Sequence, residues 1–430
     1  MKTVNGFSAG KAVIEAILSK RCLMPRRDAP WSDKEAAVRD IIDDVHAHGD
    51  DAVLKYARQF DCPTLTKAQL RVQPKEVEAA CREVGRDVLR AMERIAANIR
   101  DYHERQQRQS WLHLGNDGVV LGQKFTAIEN VGIYAPSGLA STVLMIAVPA
   151  HVAGVKRLVL SSPPRRDGSL SPPLLAAAKV AAVDEIYRLG SAWALAALAF
   201  GTETVKRVDK IVGPGNVYVV LAKKLLFGAV GIESLPGPSE VVVIADETAR
   251  PAWVAADLLA QAEHGPDSLC GLVTNSAKIA RATARALAEQ LKTAPRAALM
   301  RQSLDNFGFM ITVDSLDEAC ELVNLCAPEH VQLCVREPLR YLAQVRHAGA
   351  IFLGHDSPVP VGDYVAGPSH VLPTAGTARF ASGLSVDDFI KKTSIIGYTA
   401  ERLQAVAPDV DTIAAAEELP AHAAAVRMRL

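Results

Sequence analysis

The chain has 430 residues, of which 49% are hydrophobic, and its 48 basic side chains balance its 48 acidic ones. This length predicts two or more domains, each with an ordinary globular core. Because the net charge is zero, there is neither a basic field to hold nucleic acid nor a polybasic segment for anionic lipid. We therefore predict no nucleic-acid partner and no membrane partner.

The cysteine pattern indicates a reducing compartment. The cysteines form no CxxC pair and are odd in number, which favours free thiols over disulfides. They are Cys22, Cys62, Cys81, Cys270, Cys320, Cys326 and Cys334. The N-terminal sequence has no continuous apolar stretch typical of a signal peptide, and no apolar run reaches the roughly 20 residues of a membrane span. We therefore expect a cytoplasmic protein.

The first hundred residues are predicted to be mostly helical. Residues 32–49 form one helix, with Gly49 as its expected end, and residues 74–107 form another. The apolar positions of the first helix recur at helical spacing; they are Val38, Ile41, Ile42 and Val45. Strand-forming sequence begins only near Val119.

Beyond Val119, short β-rich runs alternate with alanine-rich helical runs in two series. The first series predicts strands at 131–134, 157–160, 185–189 and 209–212, and helices at 142–153, 174–182, 192–200 and 217–226. The second predicts strands at 240–244, 269–273, 308–313 and 348–353, and helices at 251–264 and 277–291. This rhythm predicts an α/β protein with parallel, doubly wound sheets. The last fifty residues read as a small helical tail.

Two glycine-containing loops follow predicted strands. Residues 134–138 read Tyr-Ala-Pro-Ser-Gly, and residues 213–216 read Gly-Pro-Gly-Asn before a helix. The ends of parallel strands often line a ligand crevice, and a helix N-terminus favours anions. No GxGxxG or GxxxxGK[ST] motif is present, so on this motif alone residues 213–216 are read more simply as a tight turn.

Three further stretches hold most of the candidate chemistry. Gln261 and His264 are spaced i and i+3 at the end of a predicted helix, so they share a face. This segment is compatible with a metal site or with a simple helix end. Glu329 and His330 follow Pro328 and could supply a base and a water-activating carboxylate, or they could be exposed at a helix start.

The remaining histidines divide by their surroundings. Asp363 and His370 lie in a loop rich in glycine and proline, where functional residues are common. His422, in the helical tail, would by itself count as a surface residue. Surface positions are also predicted for His46, His48, His103, His113 and His347.

Taken together, these segments closely resemble the histidinol dehydrogenase family, in consistent order along most of the chain. The similar segments are 143–145, 153–155, 201–204, 208–216, 237–240, 261–268, 327–330, 362–374, 383–389 and 417–427. The resemblance implies a zinc enzyme that oxidises the alcohol of L-histidinol to a carboxylate with two NAD⁺ in sequence. It also implies four zinc ligands, namely Gln261, His264, Asp363 and His422, an oxygen and nitrogen set that Zn²⁺ accepts.

The resemblance further implies individual roles. His330 takes the proton of the alcohol, and Glu329 activates water to attack the intermediate aldehyde. Ser239, His370 and Glu417 contact substrate, as do His330 and the zinc-site residues Gln261, His264, Asp363 and His422. Tyr134 and Asn216 contact NAD, which gives the two strand-exit loops a role.

The implied architecture has two Rossmann-like domains that lack the glycine fingerprint. One contains residues 31–133 and 240–384 with the catalytic and zinc residues, and the other, residues 134–239, lies on the NAD side. Residues 1–30 form a helical N-terminal segment, and residues 385–430 form a small helical dimerisation tail. The family forms intertwined homodimers, in which Glu417 and His422 reach the other subunit's active site.

Three positions depart from the family pattern. The loop at 134–142 is about three residues shorter than usual, Trp193 stands where the family has a glutamine that touches the cofactor, and Ser369 replaces an asparagine. Trp193 could stack on the nicotinamide or ribose, or block the usual pose. The zinc and acid–base residues are unchanged.

Three alternatives remain. One is a paralogue that oxidises another amino or hydroxy alcohol, such as sulfopropanediol, although no additional Arg or Lys is evident for a sulfonate. Another is a non-enzymatic metal module, which would not need the base and the water-activating group. The third is a zinc hydrolase, against which the two dinucleotide loops argue. Formation of reduced nicotinamide would separate a dehydrogenase from the last two.

Overall fold

The structure is a computed structural model that describes residues 1–21 and 32–430. Cys22 and the rest of the segment 22–31 lie outside the described residues. The chain forms two parallel sheets covered by helices and one small antiparallel sheet, which confirms the predicted α/β class.

Fourteen strands and fifteen α-helices are present among the described residues. The strands are β1 (Lys2–Asn5), β2 (Trp111–Leu114), β3 (Val120–Ala127), β4 (Asn130–Tyr134), β5 (Arg157–Ser162), β6 (Glu185–Arg188), β7 (Lys210–Val212), β8 (Gly231–Ile232), β9 (Glu240–Ala245), β10 (Leu269–Thr274), β11 (Phe309–Thr312), β12 (His330–Cys334), β13 (Ala350–Leu353) and β14 (Ile390–Gly397). The helices are α1 (Phe7–Arg21), α2 (Ser32–Phe60), α3 (Pro74–Glu104), α4 (Ala140–Ala153), α5 (Pro172–Val180), α6 (Ser191–Phe200), α7 (Val217–Leu226), α8 (Pro251–Ala262), α9 (Ala277–Gln290), α10 (Ala297–Phe307), α11 (Leu316–Cys326), α12 (Pro338–Leu342), α13 (Val359–Tyr364), α14 (Ala400–Ala416) and α15 (Pro420–Arg427). Within the described part of the chain, none of these helices is both long and apolar enough to cross a membrane.

The larger parallel sheet has six strands in the order β1-β11-β10-β9-β12-β13. Its central strands β9 and β10 are buried along their whole length and rich in Val, Ile and Leu, as expected of strands covered on both faces. The N-terminal segment, predicted to be helical, begins instead with β1, which pairs with β11 along the sheet edge. Four residues are too few to show a strand period, so this pairing could not be read from the sequence.

The second parallel sheet has five strands in the order β6-β5-β4-β7-β8. Helices α4 and α6 are apolar on nearly all sides and are almost fully buried against it. The predicted rhythm of strands and helices in this region is confirmed, with α7 at the expected residues.

Helices α2 and α3 pack on the five-stranded sheet's helices, whereas the expected domain boundaries grouped residues 31–133 with the six-stranded sheet. Apolar residues of α2, such as Val45 and Val53, share a core with the alanine-rich α6. Met92 and Ile99 of α3 share another core with α4 and α5. Small alanine side chains let these long helices approach closely. Side-chain packing, and not position along the chain, therefore decides which sheet region α2 and α3 join.

The third sheet is antiparallel, with β3 between β14 and β2. Residues 385–430 therefore contain a strand, β14, before the helical hairpin α14–α15, whereas the sequence predicted a helical tail. This sheet leaves Leu112, Leu114 and Ile396 largely exposed. Exposed apolar residues of this kind are typical of a surface that another chain covers.

Helix α2 bends at Gly49, where the predicted helix was expected to end. Gly49 has φ 51°, and the backbone N–H of the next residue, Asp50, donates to Glu203 at 2.9 Å. A Cβ at this position would lie 2.6 Å from the same carboxylate, so glycine suits both the turn and the contact.

His103 was predicted to lie on the surface and is instead fully buried at the end of α3. Both of its ring nitrogens lack a hydrogen-bond partner, and the ring packs edge-on against Tyr102. Burial of the ring lowers the pKa of His103 to about 4. His103 lies in the last turn of α3, where a histidine is usually exposed to solvent, so the sequence contains no indication of this burial.

We expect this buried imidazole to make the fold acid-sensitive. In the unfolded chain His103 binds a proton below its ordinary pKa of 6.5, whereas in the folded chain it binds that proton only near pH 4. Stability should therefore fall as the pH drops through this window, by up to about 3 kcal/mol from this group. Denaturant unfolding at pH 7.5 and 4.5 should show a smaller acid-induced loss for His103→Leu than for the parent. An equal loss in both would contradict the assignment.

Candidate active site

A cavity of about 200 Å³ lies where the two parallel-sheet regions meet. Six of the predicted site residues line it together, namely Ser239, His264, Glu329, His330, Asp363 and His370. The loop and helix start after β4 and the loop after β7 supply the opposite wall, through Leu139, Ser141, Thr142 and Pro214. The structure thus brings residues that are far apart in the sequence into one cleft.

The catalytic candidates lie at the start of strand β12, not at a helix start. Helix α11 ends at Ala327 in the left-handed conformation, with φ 49°, and the chain enters β12 at His330. Because β12 is parallel to β9, with His330 opposite Val241, Glu329 comes to lie beside Glu240. The amino ends of two neighbouring parallel strands therefore form the floor of the cleft.

Hydrogen bonding assigns the tautomer of His330. Its Nδ1 lies 2.8 Å from the backbone carbonyl oxygen of Glu240, and since a carbonyl can only accept, Nδ1 carries the proton. The Nε2 lone pair is then free and lies 3.9 Å from the Asp363 carboxylate. Burial lowers the pKa of His330, although the negative charge of Asp363 opposes this. A neutral imidazole with an unprotonated Nε2 is a proton acceptor.

Glu329 is buried directly beside this imidazole. Its Oε2 accepts a hydrogen bond from the backbone N–H of Glu240 at 2.9 Å and lies 3.6 Å from His330 Nδ1. Burial raises the pKa of Glu329 well above its ordinary value, and the negative charges of Glu240 and Asp363 raise it further. When it is ionised, a carboxylate with a raised pKa is a stronger base, which suits Glu329 to accept a proton from a reacting water.

His370 connects the two sides of the cleft. Its Nδ1 donates to the backbone carbonyl oxygen of Asp363 at 2.9 Å, so its Nε2 is an acceptor that lies 3.4 Å from the Thr142 hydroxyl on α4. Burial lowers the pKa of His370 to about 4, and the ring stays neutral. A neutral ring held in one orientation can pack against the carbon chain of a small substrate.

Two of the predicted metal ligands line this cleft, and a third precedes one of them by one helical turn in the chain. His264 and Asp363 line the cavity, and Gln261 is buried one turn before His264, at the end of α8. The amide Nε2 of Gln261 is buried without a hydrogen-bond partner, which marks this side chain as unsatisfied within one chain. Among the described residues no group of three or more His, Cys, Asp and Glu side chains forms a metal site.

Glu417 and His422 do not join this cleft within one chain. Both line a separate cavity of the α14–α15 hairpin, together with Ile413 and Leu419. Both are exposed, and so are Ile413 and Leu419. The fourth predicted ligand is therefore carried on an apolar hairpin that a single chain leaves uncovered.

The two predicted dinucleotide loops lie side by side. Strands β4 and β7 are parallel neighbours, and the chain order reverses between them. Tyr134 ends β4, and Asn216 caps α7, accepting from the N–H groups of its first turn. The carboxyl ends of strands at such a reversal form the usual ligand crevice of open α/β sheets. Both loops reach the cleft, through Leu139 and Pro214.

A buried ion pair supports the second of these loops. Lys223 Nζ lies 2.6 Å from Glu233 and donates to the Gly213 carbonyl oxygen at 2.9 Å. Glu233 in turn accepts from the Gly213 N–H at 2.8 Å. The backbone of Gly213 is thus held on both sides, with φ 133° and with no room for a Cβ, which would lie 2.0 Å from the Tyr134 carbonyl oxygen.

The three departures from the family pattern have different consequences. Trp193 is buried in the core between α2 and α6, stacked on Phe60 and Tyr56 at ring distances of 5.6 and 6.2 Å, and is not among the residues that line the cleft. Ser369 is buried next to His370 and accepts from the N–H of Val371. The shortened loop remains part of the cleft wall through Leu139.

Sequence reasoning missed Glu240 and Arg21, which lie beneath the catalytic pair. Glu240 is almost fully buried and forms an ion pair with the buried Arg21 at 3.1 Å. A charged residue beginning the apolar run of β9 was the available signal for Glu240, because a buried carboxylate requires partners. Arg21 stands in an unremarkable helix end and gives no such signal.

Comparisons with known proteins agree along the whole chain. The sequence profile of the histidinol dehydrogenase family matches residues 24–430. A histidinol dehydrogenase from Geobacillus kaustophilus is 49% identical over 420 residues, which cover 97% of this chain and 99% of that protein. One from a Synechococcus strain is 48% identical and covers 97% of both. The crystal structure of histidinol dehydrogenase from Elizabethkingia anophelis matches with a TM-score of 0.92 at 37% identity, covering 100% of this chain and 98% of that one.

Proposed function

The chain belongs to the histidinol dehydrogenase family, and we propose that it oxidises L-histidinol to L-histidine through the aldehyde, with zinc and two NAD⁺. The observation that carries the proposal is that His330, with an unprotonated Nε2, and the buried carboxylate of Glu329 both line one cleft. A four-electron oxidation of an alcohol can use both, because one proton leaves the alcohol and another leaves an attacking water.

His330 serves the first oxidation. Its Nε2 accepts the hydroxyl proton while the carbon loses a hydride, and the charge that forms on the ring is stabilised by Asp363 at 3.9 Å. The hydrogen bond from Nδ1 to the Glu240 carbonyl oxygen keeps the accepting nitrogen directed at the cleft. Burial keeps the ring neutral beforehand, so it is ready to accept the proton.

Glu329 serves the second oxidation. The aldehyde must first add water to give a hydrate, which carries the hydrogen that leaves as the second hydride. The Glu329 carboxylate takes a proton from that water, and its raised pKa makes it an effective base. The backbone N–H of Glu240 fixes the orientation of the carboxylate.

The residues at the cleft fit a zinc ion. Gln261, His264 and Asp363 offer an amide oxygen, an imidazole nitrogen and a carboxylate, a donor set that Zn²⁺ accepts, and His264 and Asp363 line the cleft. His422 would complete the set from a second chain. When bound, the metal supplies a fixed positive charge that orients the substrate's nitrogen atoms and alcohol.

NAD would be held by the loops after β4 and β7, through Tyr134 and Asn216. Gly213 is buried and lets the two loops lie close together, and Asn216 is exposed at the N-cap of α7. Pro214 and Ser141 line the same cleft as His330, so these loops would lead the cofactor toward the catalytic pair. When bound, NAD would supply the hydride acceptor for each oxidation.

We expect Gly213→Ala to weaken NAD⁺ binding about tenfold or more, equivalent to about 1.4 kcal/mol. The added Cβ would lie 2.0 Å from the Tyr134 carbonyl oxygen and must push the two loops apart. Calorimetric titration of the zinc-loaded protein with NAD⁺ measures the change. Gly228→Ala is the matched control, because Gly228 also has a positive φ, 106°, but has no atom close to its Cβ position. Unchanged affinity in Gly213→Ala would remove this loop from the cofactor site.

The protein would act as an intertwined homodimer. Three observations support this: His422 and Glu417 lie away from the cleft of their own chain, their hairpin is apolar and exposed, and so is the adjoining antiparallel sheet. Tyr364 and Phe380, near the cleft and on the 377–380 turn, are exposed as well. A hairpin exchanged between subunits would cover apolar surface and deliver His422 to the metal and Glu417 to the substrate's ammonium group.

Mixed dimers test the shared site. We expect His330→Asn and His422→Ala homodimers to be nearly inactive, and unfolded and refolded mixtures of the two to recover about a quarter of parent activity. Half of the refolded dimers are then mixed, and each mixed dimer holds one site with both histidines intact. Absence of recovery, with mixed dimers demonstrated by differential tagging, would place His422 in its own subunit's site.

A second candidate is a family member that oxidises a different alcohol. The cleft lining favours an aminated substrate, because no Lys or Arg occurs among the described residues that line the 200 Å³ cavity, whereas Glu329 and Asp363 do. A sulfonate, as in sulfopropanediol, would lack a cationic partner there.

A reducing, cytoplasmic setting suits the protein, since the six cysteines within the described ranges are free and burial raises the pKa of the Cys270 thiol to about 12.

The decisive experiment counts NADH formed per L-histidinol by the zinc-loaded protein. Two NADH per substrate, with L-histidine as product, would support both the reaction and the substrate. Absence of reduction in a protein with zinc bound would contradict the proposal and favour another amino or hydroxy alcohol, which a substrate panel would identify.

A further inference from the structure

Glu240 makes contact with both members of the catalytic pair. Its backbone N–H donates to Glu329 Oε2 at 2.9 Å, and its backbone carbonyl oxygen accepts from His330 Nδ1 at 2.8 Å. Its own carboxylate reaches back, with Oε2 accepting from the Glu329 N–H at 3.1 Å. One residue thus fixes the imidazole tautomer and the orientation of the neighbouring carboxylate.

Arg21 ties this residue to the surrounding loops. Its guanidinium lies 3.1 Å from Glu240 Oε1 and donates to the carbonyl oxygens of Pro238 at 2.9 Å and Asp267 at 2.5 Å. The first carbonyl precedes Ser239 in the cleft, and the second belongs to the loop after His264. The Ala375 N–H also donates to Glu240 Oε1, at 3.1 Å. Four loops around the cleft therefore meet at a single buried ion pair.

Fold stability alone does not account for such a pair. Burying two charges costs desolvation energy that their attraction roughly offsets, and apolar replacements of buried pairs are often as stable. The contacts of Arg21 and Glu240 are instead directed at the backbone next to Ser239, at the loop after His264, at Glu329 and at the loop that contains Ala375. This arrangement serves alignment, for which displacements of about 1 Å can cost a hundredfold in rate.

We propose that the Arg21–Glu240 ion pair is a positioning device that holds Glu329 and His330 in register for proton transfer. Neither residue touches substrate; both act through the catalytic pair. The inference rests on the proposed function for its kinetic consequences, whereas the positioning itself is a structural property of the chain.

Glu240→Gln tests the device with minimal change in shape. A carboxylate accepts hydrogen bonds at both oxygens, here from Arg21 and Ala375 on one side and from Glu329 on the other. An amide accepts at one oxygen only, so its NH₂ group must face a donor on one side and push it away. We expect kcat with L-histidinol to fall roughly 10- to 100-fold, while zinc content and the KM values for NAD⁺ and histidinol stay within about twofold.

A matched control separates positioning from general destabilisation. Glu185→Gln removes the carboxylate of a different, partly buried ion pair, Arg157–Glu185 at 2.8 Å, which lies at the β6 edge of the five-stranded sheet. Its kcat should equal that of the parent whatever its melting temperature. Arg21→Met should lower kcat as Glu240→Gln does, and the double variant should be no worse than the more damaged single one, because both changes break the same network.

The outcomes separate this inference from the proposed function. If the parent oxidises histidinol and Glu240→Gln keeps its kcat within twofold, the positioning role is overturned and the function stands. A rise in both KM values with loss of zinc would also overturn it, in favour of a structural role. If the parent does not use histidinol, the crystal structure of Glu240→Gln decides, because the Glu329 carboxylate and His330 ring must leave their parent positions. Should Glu240→Gln not fold, Glu240→Asp, which keeps the charge but shortens the reach to Glu329, must lower kcat in the same way.

Discussion

Replacing His330 by asparagine is expected to lower kcat for histidinol oxidation by about 10³-fold, within the range that a positioned general base contributes. Asparagine can still donate to the Glu240 carbonyl oxygen that His330 Nδ1 contacts at 2.8 Å, so the local fold should persist. It has no nitrogen that can accept a proton, and the hydroxyl of the substrate would have to lose its proton to water. Zinc content and NAD⁺ affinity should remain those of the parent. Steady-state NADH formation and metal analysis of the same preparation measure both sides.

A histidine in the same domain provides the comparison. His355 follows the carboxyl end of β13, whereas His330 starts the neighbouring strand β12, and its Nε2 lies 3.1 Å from the Thr248 hydroxyl. His355→Asn should retain parent kcat. Near-parent turnover by His330→Asn would remove this residue from the mechanism. Loss of zinc from that variant would instead mean that its ring supports the metal site rather than the proton transfer.

Much of the fold could be predicted because the segments concerned carry strong local patterns. The alanine-rich helices α4 and α6 and the β-branched strand β9 are buried on all sides, and such segments are recognisable by composition alone. Helix α7 lies at the predicted residues because Gly213–Asn216 gives both a turn and a cap before it.

The elements that escaped prediction depend on distant partners. Strand β1 is held by pairing with β11, and β14 by pairing with β3, so neither has an apolar period of its own. Strand β12 was overlooked because Glu329, just before it, and His330, its first residue, are charged or polar, and such residues normally argue against a buried strand. Here they are tolerated because Glu240 supplies hydrogen bonds to both.

The same limit applies to the site. Ser239, His264, Glu329, His330, Asp363 and His370 were predicted to act together, and the structure lines one cavity with them. That prediction came from the resemblance of whole segments, since no spacing in the sequence connects these positions. Arg21 could not be found in this way, because its role depends only on the three-dimensional approach of the helix end to Glu240. Glu417 and His422 remain predictions that concern a second chain.

Replacing Glu329 by glutamine is expected to separate the two oxidations. The amide oxygen can take the place of Oε2 as acceptor for the Glu240 N–H, at 2.9 Å in the parent, so the side chain should keep its position. A neutral amide cannot remove a proton from water, and hydration of the aldehyde should slow by about 10²–10³-fold. The alcohol step, which depends on His330, should change by only a few-fold.

Two measurements expose this separation. With histidinol, the variant should release one NADH per active site rapidly and the second slowly, whereas the parent should release both in one phase. With histidinaldehyde supplied directly, the variant should be slow from the start. Its own alcohol step is the internal control for folding and zinc content. If the variant oxidises histidinaldehyde as fast as the parent, water must be activated by another group. The raised pKa of Glu329 would then reflect only its burial beside Glu240 and Asp363.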